Sequence, residues 1–134
     1  MEWNRTLAVT KDADGKSGLF SLSVDDILFF RIVSGRLIAH TSTDKYYLVG
    51  GEKINRFLSA LNSSGCHFYR SDRGDIPDIT KIRKFNKDWA RAYFTDCPDA
   101  KSKFIYISRH RFNEFVELTM KHNAYIRELE NQPQ

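Results

Sequence analysis

Apolar and polar positions alternate through the first half of the chain in the two-residue rhythm of half-buried strands. Leu7-Ala8-Val9 opens the series, and Asp12-Ala13-Asp14-Gly15 turns it, with glycine supplying the positive φ of a tight turn. Phe20, Leu22 and Val24 then share one face while Ser21 and Ser23 take the other. Asp25-Asp26 interrupts, and the apolar residues 27–33 predict a central strand. Ser34-Gly35 separates that strand from Arg36-Leu37-Ile38-Ala39-His40-Thr41, a two-residue spacing that predicts a tight hairpin. Asp44-Lys45 turns again into Tyr46-Tyr47-Leu48-Val49, completing an antiparallel meander.

The rhythm next becomes that of a helix. After Gly50-Gly51, the residues Ile54, Phe57, Leu58 and Leu61 recur at i, i+3, i+4 and i+7 and fall on one face. Ser63-Ser64-Gly65 ends this helix, with Gly65 suited to a left-handed stop. A strand is predicted at His67-Phe68-Tyr69, followed by the polar stretch Arg70-Ser71-Asp72-Arg73-Gly74-Asp75. Pro77 lacks an N–H, so a strand there is an edge or ends. Asp78 is placed to cap one turn holding Ile79 and Ile82.

Lys84-Phe85 and residues 89–95 predict two strands joined by Asn86-Lys87-Asp88. Residues 96–101 read as a loop, and Phe104-Ile105-Tyr106-Ile107 as the last strand. Ser108 is expected to cap a second helix with Phe112, Phe115, Val116, Thr119 and Met120 on its apolar face, running as far as Leu129. A frayed tail is expected over residues 130–134. The fold class that follows is mostly β with short α: antiparallel strands in small sheets, one mid-chain helix and one C-terminal helix.

Length and composition narrow the setting. At 134 residues the chain fits a single domain over residues 1–134, and its 41% apolar content can fill one core without disulfides or a structural metal. The longest uncharged apolar run, Ile27-Leu28-Phe29-Phe30, is far short of the ~20 residues of a membrane span. Met1-Glu2-Trp3-Asn4-Arg5 has no apolar core of a secretory signal. Cys66 and Cys97 are too few for a disulfide scaffold and lack zinc spacing, so both are expected as reduced thiols. A cytoplasmic protein without membrane contact is expected.

Charge is distributed unevenly. Residues 67–111 hold eleven Lys and Arg against six Asp, whereas the rest of the chain is nearly balanced. A basic segment of this kind suits a polyanion, although a solvated basic surface looks the same on charge alone.

Catalytic and metal constellations are missing. His40, His67, His110 and His122 are dispersed, Gly50-Gly51 is only a strand-to-helix junction, and Ser108 lacks the flanking glycines of a nucleophile elbow. Neither an enzyme nor a cofactor is expected. What remains is basic side chains at strand ends and helix starts: Arg70, Arg73, Arg109, His110 and Arg111. Arginine reads guanine O6 and N7 with two parallel hydrogen bonds and also holds phosphate. Ser108 and the N–H groups opening the second helix could add a phosphate contact. Beside Asp72 and Asp75, an arginine can equally form a local ion pair.

These motifs resemble the LytTR DNA-binding domain family. The resemblance lies in Asp25-Asp26-Ile27-Leu28-Phe29-Phe30 with Gly35-Arg36-Leu37-Ile38-Ala39-His40, then in residues 68–76 with Ile79 and Ile82, and finally in Ile107-Ser108-Arg109 before an apolar-faced helix. It spans about residues 5–120. It implies a transcription regulator that binds direct repeats in bacterial promoters by inserting loops, not a recognition helix, into successive major grooves of double-stranded DNA. The implied contact loops are Ser34-Gly35-Arg36, the stretch around Asp72-Arg73, and Arg109-His110-Arg111. A homodimer on the repeats fits that pattern.

The chain departs from the family pattern at Asp72, where histidine is usual, at Asp78, where asparagine is usual, and at Gly35, where a DNA-contacting histidine can stand. The length leaves no room for the receiver domain often fused to this family; if Met1 is the natural start, control is expected from expression level or a regulatory protein partner, whereas an excised fragment would leave regulation open. Two other functions remain open. Asp72, Asp75 and Asp78 are compatible with a protein-interaction module on the same fold that has lost DNA affinity. Single-stranded RNA binding would need exposed rings such as Tyr69, Trp89 and Tyr93, which more often fill a core.

Overall fold

The alternating half folds as antiparallel strands, as its pattern predicts, but not in the sequential order of a meander: the second and third strands are not neighbours, and the first pairs with the fifth. In this computed structural model, which describes residues 2–51 and 53–130, the chain divides into two compact units, Met1–Phe68 and Tyr69–Gln134. In the first, β1 (Thr6–Thr10), β2 (Phe20–Ser23), β3 (Phe29–Val33), β4 (Arg36–His40) and β5 (Lys45–Leu48) run in the order β2-β1-β5-β4-β3. Every neighbouring pair in that order is antiparallel. A short 3-10 turn, Val24–Asp26, follows β2 where Asp25-Asp26 breaks the alternation.

Helix α1 (Ile54–Ser63) buries Leu58 and Leu61. Phe30 meets Phe57 edge-on at 5.8 Å and Phe68 at 5.0 Å between ring centroids. Fully burying a ring such as that of Phe30 contributes about 1.5–3 kcal/mol. No strand forms at His67-Phe68-Tyr69; Phe68 makes an isolated bridge only. The reason is a side chain: the Asn62 amide accepts from the Phe68 N–H at 2.9 Å and donates to its carbonyl at 2.8 Å.

The β3–β4 hairpin pairs Val33 with Arg36 across Ser34 (φ 51°) and Gly35 (φ 77°). Two positive φ values in a two-residue loop match the twist of the flanking strands. A Cβ on Gly35 would meet nothing within 4 Å, so the cost of a side chain there is purely conformational. Gly35→Ala is therefore expected to destabilise the protein by about 1–2 kcal/mol. A urea titration followed by tryptophan fluorescence measures it; an unchanged midpoint would contradict the turn geometry.

In the second unit, β6 (Asp75–Pro77) ends at the proline, and Asp78 caps the turn Ile79–Lys81 by accepting from the Thr80 N–H at 3.0 Å. Strands β7 (Lys84–Asn86), β8 (Arg91–Tyr93) and β9 (Phe104–Tyr106) form an antiparallel sheet in the order β7-β8-β9. Trp89 and Ala90, expected in a strand, lie in the preceding turn, where Ala90 has φ 51° and its N–H reaches the Lys87 carbonyl. Phe85 packs edge-on against Phe112 and Phe115 of α2 (Phe112–His122).

The C-terminal helix is two helices, not one. Its break is at Asn123, whose amide donates to the carbonyls of Ile79 and Ile82 at 2.8 Å each and accepts from the Ile126 N–H. A buried asparagine so engaged caps a new helix, α3 (Ala124–Glu130), in place of extending the old one. The tail at residues 131–134 lies outside the described residues. No helix among those described is long and apolar enough to cross a membrane.

Candidate nucleic-acid interface

Ser34, Gly35 and Arg36 form the exposed tip of the hairpin in the first unit. The Arg36 side chain is not loose there. It donates from Nη1 to the Ala13 carbonyl at 2.7 Å and lies over the Tyr47 ring at 5.2 Å. Ala13 belongs to a turn tied by Asp12, whose carboxyl is lowered to about 2 by the Ser17 hydroxyl and by the N–H groups of Ser17 and Lys16. That contribution is present above the unfolded value near 3.8 and is lost as pH falls through about 2.

The other expected residues belong to the second unit, where hydrogen bonds fasten two loops together. Ser71 donates its hydroxyl to the Tyr106 carbonyl at 2.7 Å, and its carbonyl accepts from the Ser108 N–H at 2.9 Å. The Asp75 carboxylate accepts from the Tyr106 N–H at 2.7 Å. Asp72 accepts from the Ser108 hydroxyl at 2.9 Å. Residues 71–75 and 106–108, more than thirty positions apart in the chain, are thus held as one body.

This bonding changes the role of Ser108. Its side chain is spent on Asp72 and caps no helix; a 3-10 turn, Arg109–Arg111, intervenes before α2, which has no side-chain cap of its own. It also places Asp72. A carboxylate engaged by a hydroxyl within the fold is occupied there, so it need not face phosphate as a bare charge.

The clasp leaves basic groups pointing to solvent. Arg73 is exposed, and among the described residues its guanidinium has no hydrogen-bonded or ion-paired partner. Its carbonyl accepts from Arg70 Nη1 at 3.4 Å, which sets the half-buried Arg70 against the loop. Arg109 and His110 are exposed, and Arg109 donates from Nη1 to the Asp88 carbonyl at 3.1 Å. Arg111 lies 3.9 Å from Glu114, a long contact one helical turn on.

Through Arg109 a third segment joins, the Asn86-Lys87-Asp88 connection between β7 and β8. The turn around Lys87 and Asp88 is coupled to the Arg109 loop by that bond and by the Ile107 N–H, which reaches the Ala90 carbonyl at 2.8 Å. Beside it the Arg91 guanidinium lies over Phe104 at 4.0 Å, Trp89 at 5.1 Å and Tyr106 at 5.7 Å. Of the three rings considered for base stacking, Tyr93 is buried, Tyr69 stacks on His122, and Trp89 is 60% exposed.

Comparison with known proteins agrees with this architecture. The model of the LytTr DNA-binding domain family matches residues 17–120. A solved structure described as the LytTr DNA-binding domain of a methyl-accepting/DNA response regulator from Bacillus cereus is similar in fold, with a TM-score of 0.60 at 12% identity. The similarity covers 86% of this chain and 97% of that one. No curated protein matches the sequence.

Proposed function

This chain belongs to the LytTr DNA-binding domain family, and from that premise we propose that it regulates transcription by reading direct repeats in promoter DNA through loops set into the major groove. The family supports the role of a DNA-binding regulator and makes DNA the partner. The finer reading rests on one observation above all. The clasp of Ser71, Asp72 and Asp75 with Tyr106 and Ser108 fixes two loops whose exposed termini are Arg73, Arg109 and His110.

A rigid body presenting arginine forks suits base edges, because little loop entropy remains to be lost on binding. Arg70, Arg111 and Ser108 flank these residues, and in the other unit Ser34, Gly35 and Arg36 form a further contact loop. In this reading the chain acts as a single DNA-binding domain without enzymatic activity. It works in the cytoplasm, two copies sit side by side on a repeat, and a regulatory protein controls it.

Selection of bound sequences from a random duplex library tests the proposal. The expected outcome is a repeated motif with half-sites about 10–10.5 base pairs apart or a multiple of that. On the selected duplex, log K should fall linearly with log salt by about 0.9 per phosphate neutralised. An unenriched library, or equal binding of the matching single strand, would overturn it.

A further inference from the structure

Trp89 is the largest apolar side chain left in solvent beside the clasped loops, and its position is rigidly set. The Trp89 backbone N–H donates to Asn86 Oδ1 at 3.0 Å, the Ala90 N–H closes the turn on the Lys87 carbonyl, and Arg91 lies over the ring at 5.1 Å. Ala90 takes φ 51°, a conformation costing a residue with a Cβ about 1–2 kcal/mol. Leaving an indole 60% exposed forgoes further burial in the same place. Strain and exposure at adjacent residues are what a contact residue requires and a packing residue avoids.

The turn is also tied to a base-reading candidate. Asp88, next in sequence to Trp89, accepts from Arg109 Nη1 through its carbonyl, which ties the Trp89 turn to the Arg109 loop. Arg91 sets positive charge over the ring, and the turn also carries Lys87 and holds Arg109, against the single carboxylate of Asp88. An apolar plane in a basic setting fits a polyanion that carries an apolar group. On the major-groove edge of DNA that group is the C5 methyl of thymine.

We propose that Trp89 is a specificity-determining residue that packs on the methyl of a thymine next to the base contacted by Arg109. This rests on the duplex-reading role proposed above. It adds a fourth contact segment, the turn between β7 and β8, to the loops already considered.

The test replaces each thymine of the selected duplex singly with deoxyuridine, which removes only the methyl group. One such replacement is expected to weaken the wild-type protein about 3- to 10-fold, the scale of one buried methyl and its packing. Trp89→Ala should lose about 10-fold on the intact duplex and nothing more on that deoxyuridine duplex. Trp89→Phe, with a smaller ring, should keep part of the methyl dependence. Urea unfolding of both variants checks that the fold is intact, as expected for an exposed side chain. Equal methyl sensitivity in wild type and Trp89→Ala would overturn the assignment, as would wild-type affinity in Trp89→Ala. A loss in Trp89→Ala that is the same for single strands would also overturn it, showing base stacking instead. In each of those cases sequence-selective duplex binding by the wild type would leave the broader function intact. A wild-type protein with no duplex preference would overturn both.

Discussion

Asp75→Ala is expected to lower the unfolding free energy by about 2–4 kcal/mol and the melting temperature by roughly 10 °C. Asp75 is 3% exposed, and its carboxylate accepts from the Tyr106 N–H at 2.7 Å. Alanine removes that acceptor from a part-buried bond and leaves the Tyr106 N–H without its partner, costing about 1–3 kcal/mol on top of the lost charge-assisted bond. The Ser71 bonds to the Asp75 and Tyr106 carbonyls survive only if the two loops stay in register. Asp75→Asn keeps an oxygen for the Tyr106 N–H and should cost about 1 kcal/mol. Urea titrations of the three proteins make the comparison. If Asp75→Ala fell within about 0.5 kcal/mol of wild type, the clasp would not be a stabilising element.

The same contrast between local and distant partners explains what was legible in the sequence. The hairpin at Ser34-Gly35 was readable because its cause is local: two strands, two residues and a glycine at φ 77°. Helix α1 was readable for the same reason, its buried Leu58 and Leu61 following from spacing alone. Asn123 was not. It sits inside a run with helical periodicity, and the break depends on the carbonyls of Ile79 and Ile82, over forty residues away. Phe68 reads as a strand residue until Asn62 occupies both of its backbone groups.

The candidate site divides along that line. Arg73, Arg109 and His110 were legible as polar side chains in turns, and the turns are where the structure has them. Ser108 has the sequence of a helix cap, but its actual partner, Asp72, lies 36 residues earlier. No local pattern encodes that choice. Trp89 was ambiguous because Trp-Ala-Arg-Ala-Tyr alternates like a strand; it lies instead in the turn that ends at the left-handed Ala90, and it is exposed. The role of Asp88 is carried by its backbone carbonyl, a group present at every residue and so invisible to any reading of side-chain types.

Replacing both arginines, Arg73→Ala with Arg109→Ala, is expected to weaken binding to the selected duplex by about 2–6 kcal/mol, roughly 30-fold to 10^4-fold, if each reads a base. The two should contribute unequally. Arg109 is already held by the Asp88 carbonyl, so its fork is partly ordered before DNA arrives, whereas Arg73 has no such restraint and must lose more side-chain freedom on binding. Arg109→Ala alone should therefore lie toward ~3 kcal/mol and Arg73→Ala nearer ~1 kcal/mol. Arg109→Lys separates base reading from phosphate contact. Lysine keeps the charge but not the planar fork, so it should preserve the salt dependence while losing discrimination between the selected duplex and a scrambled one. Titrations of both duplexes, at about 50 and about 200 mM salt, measure the two properties independently. Full rescue of discrimination by Arg109→Lys would make Arg109 a phosphate anchor, and the base reading would then have to come from Arg73, His110 and the neighbouring turn.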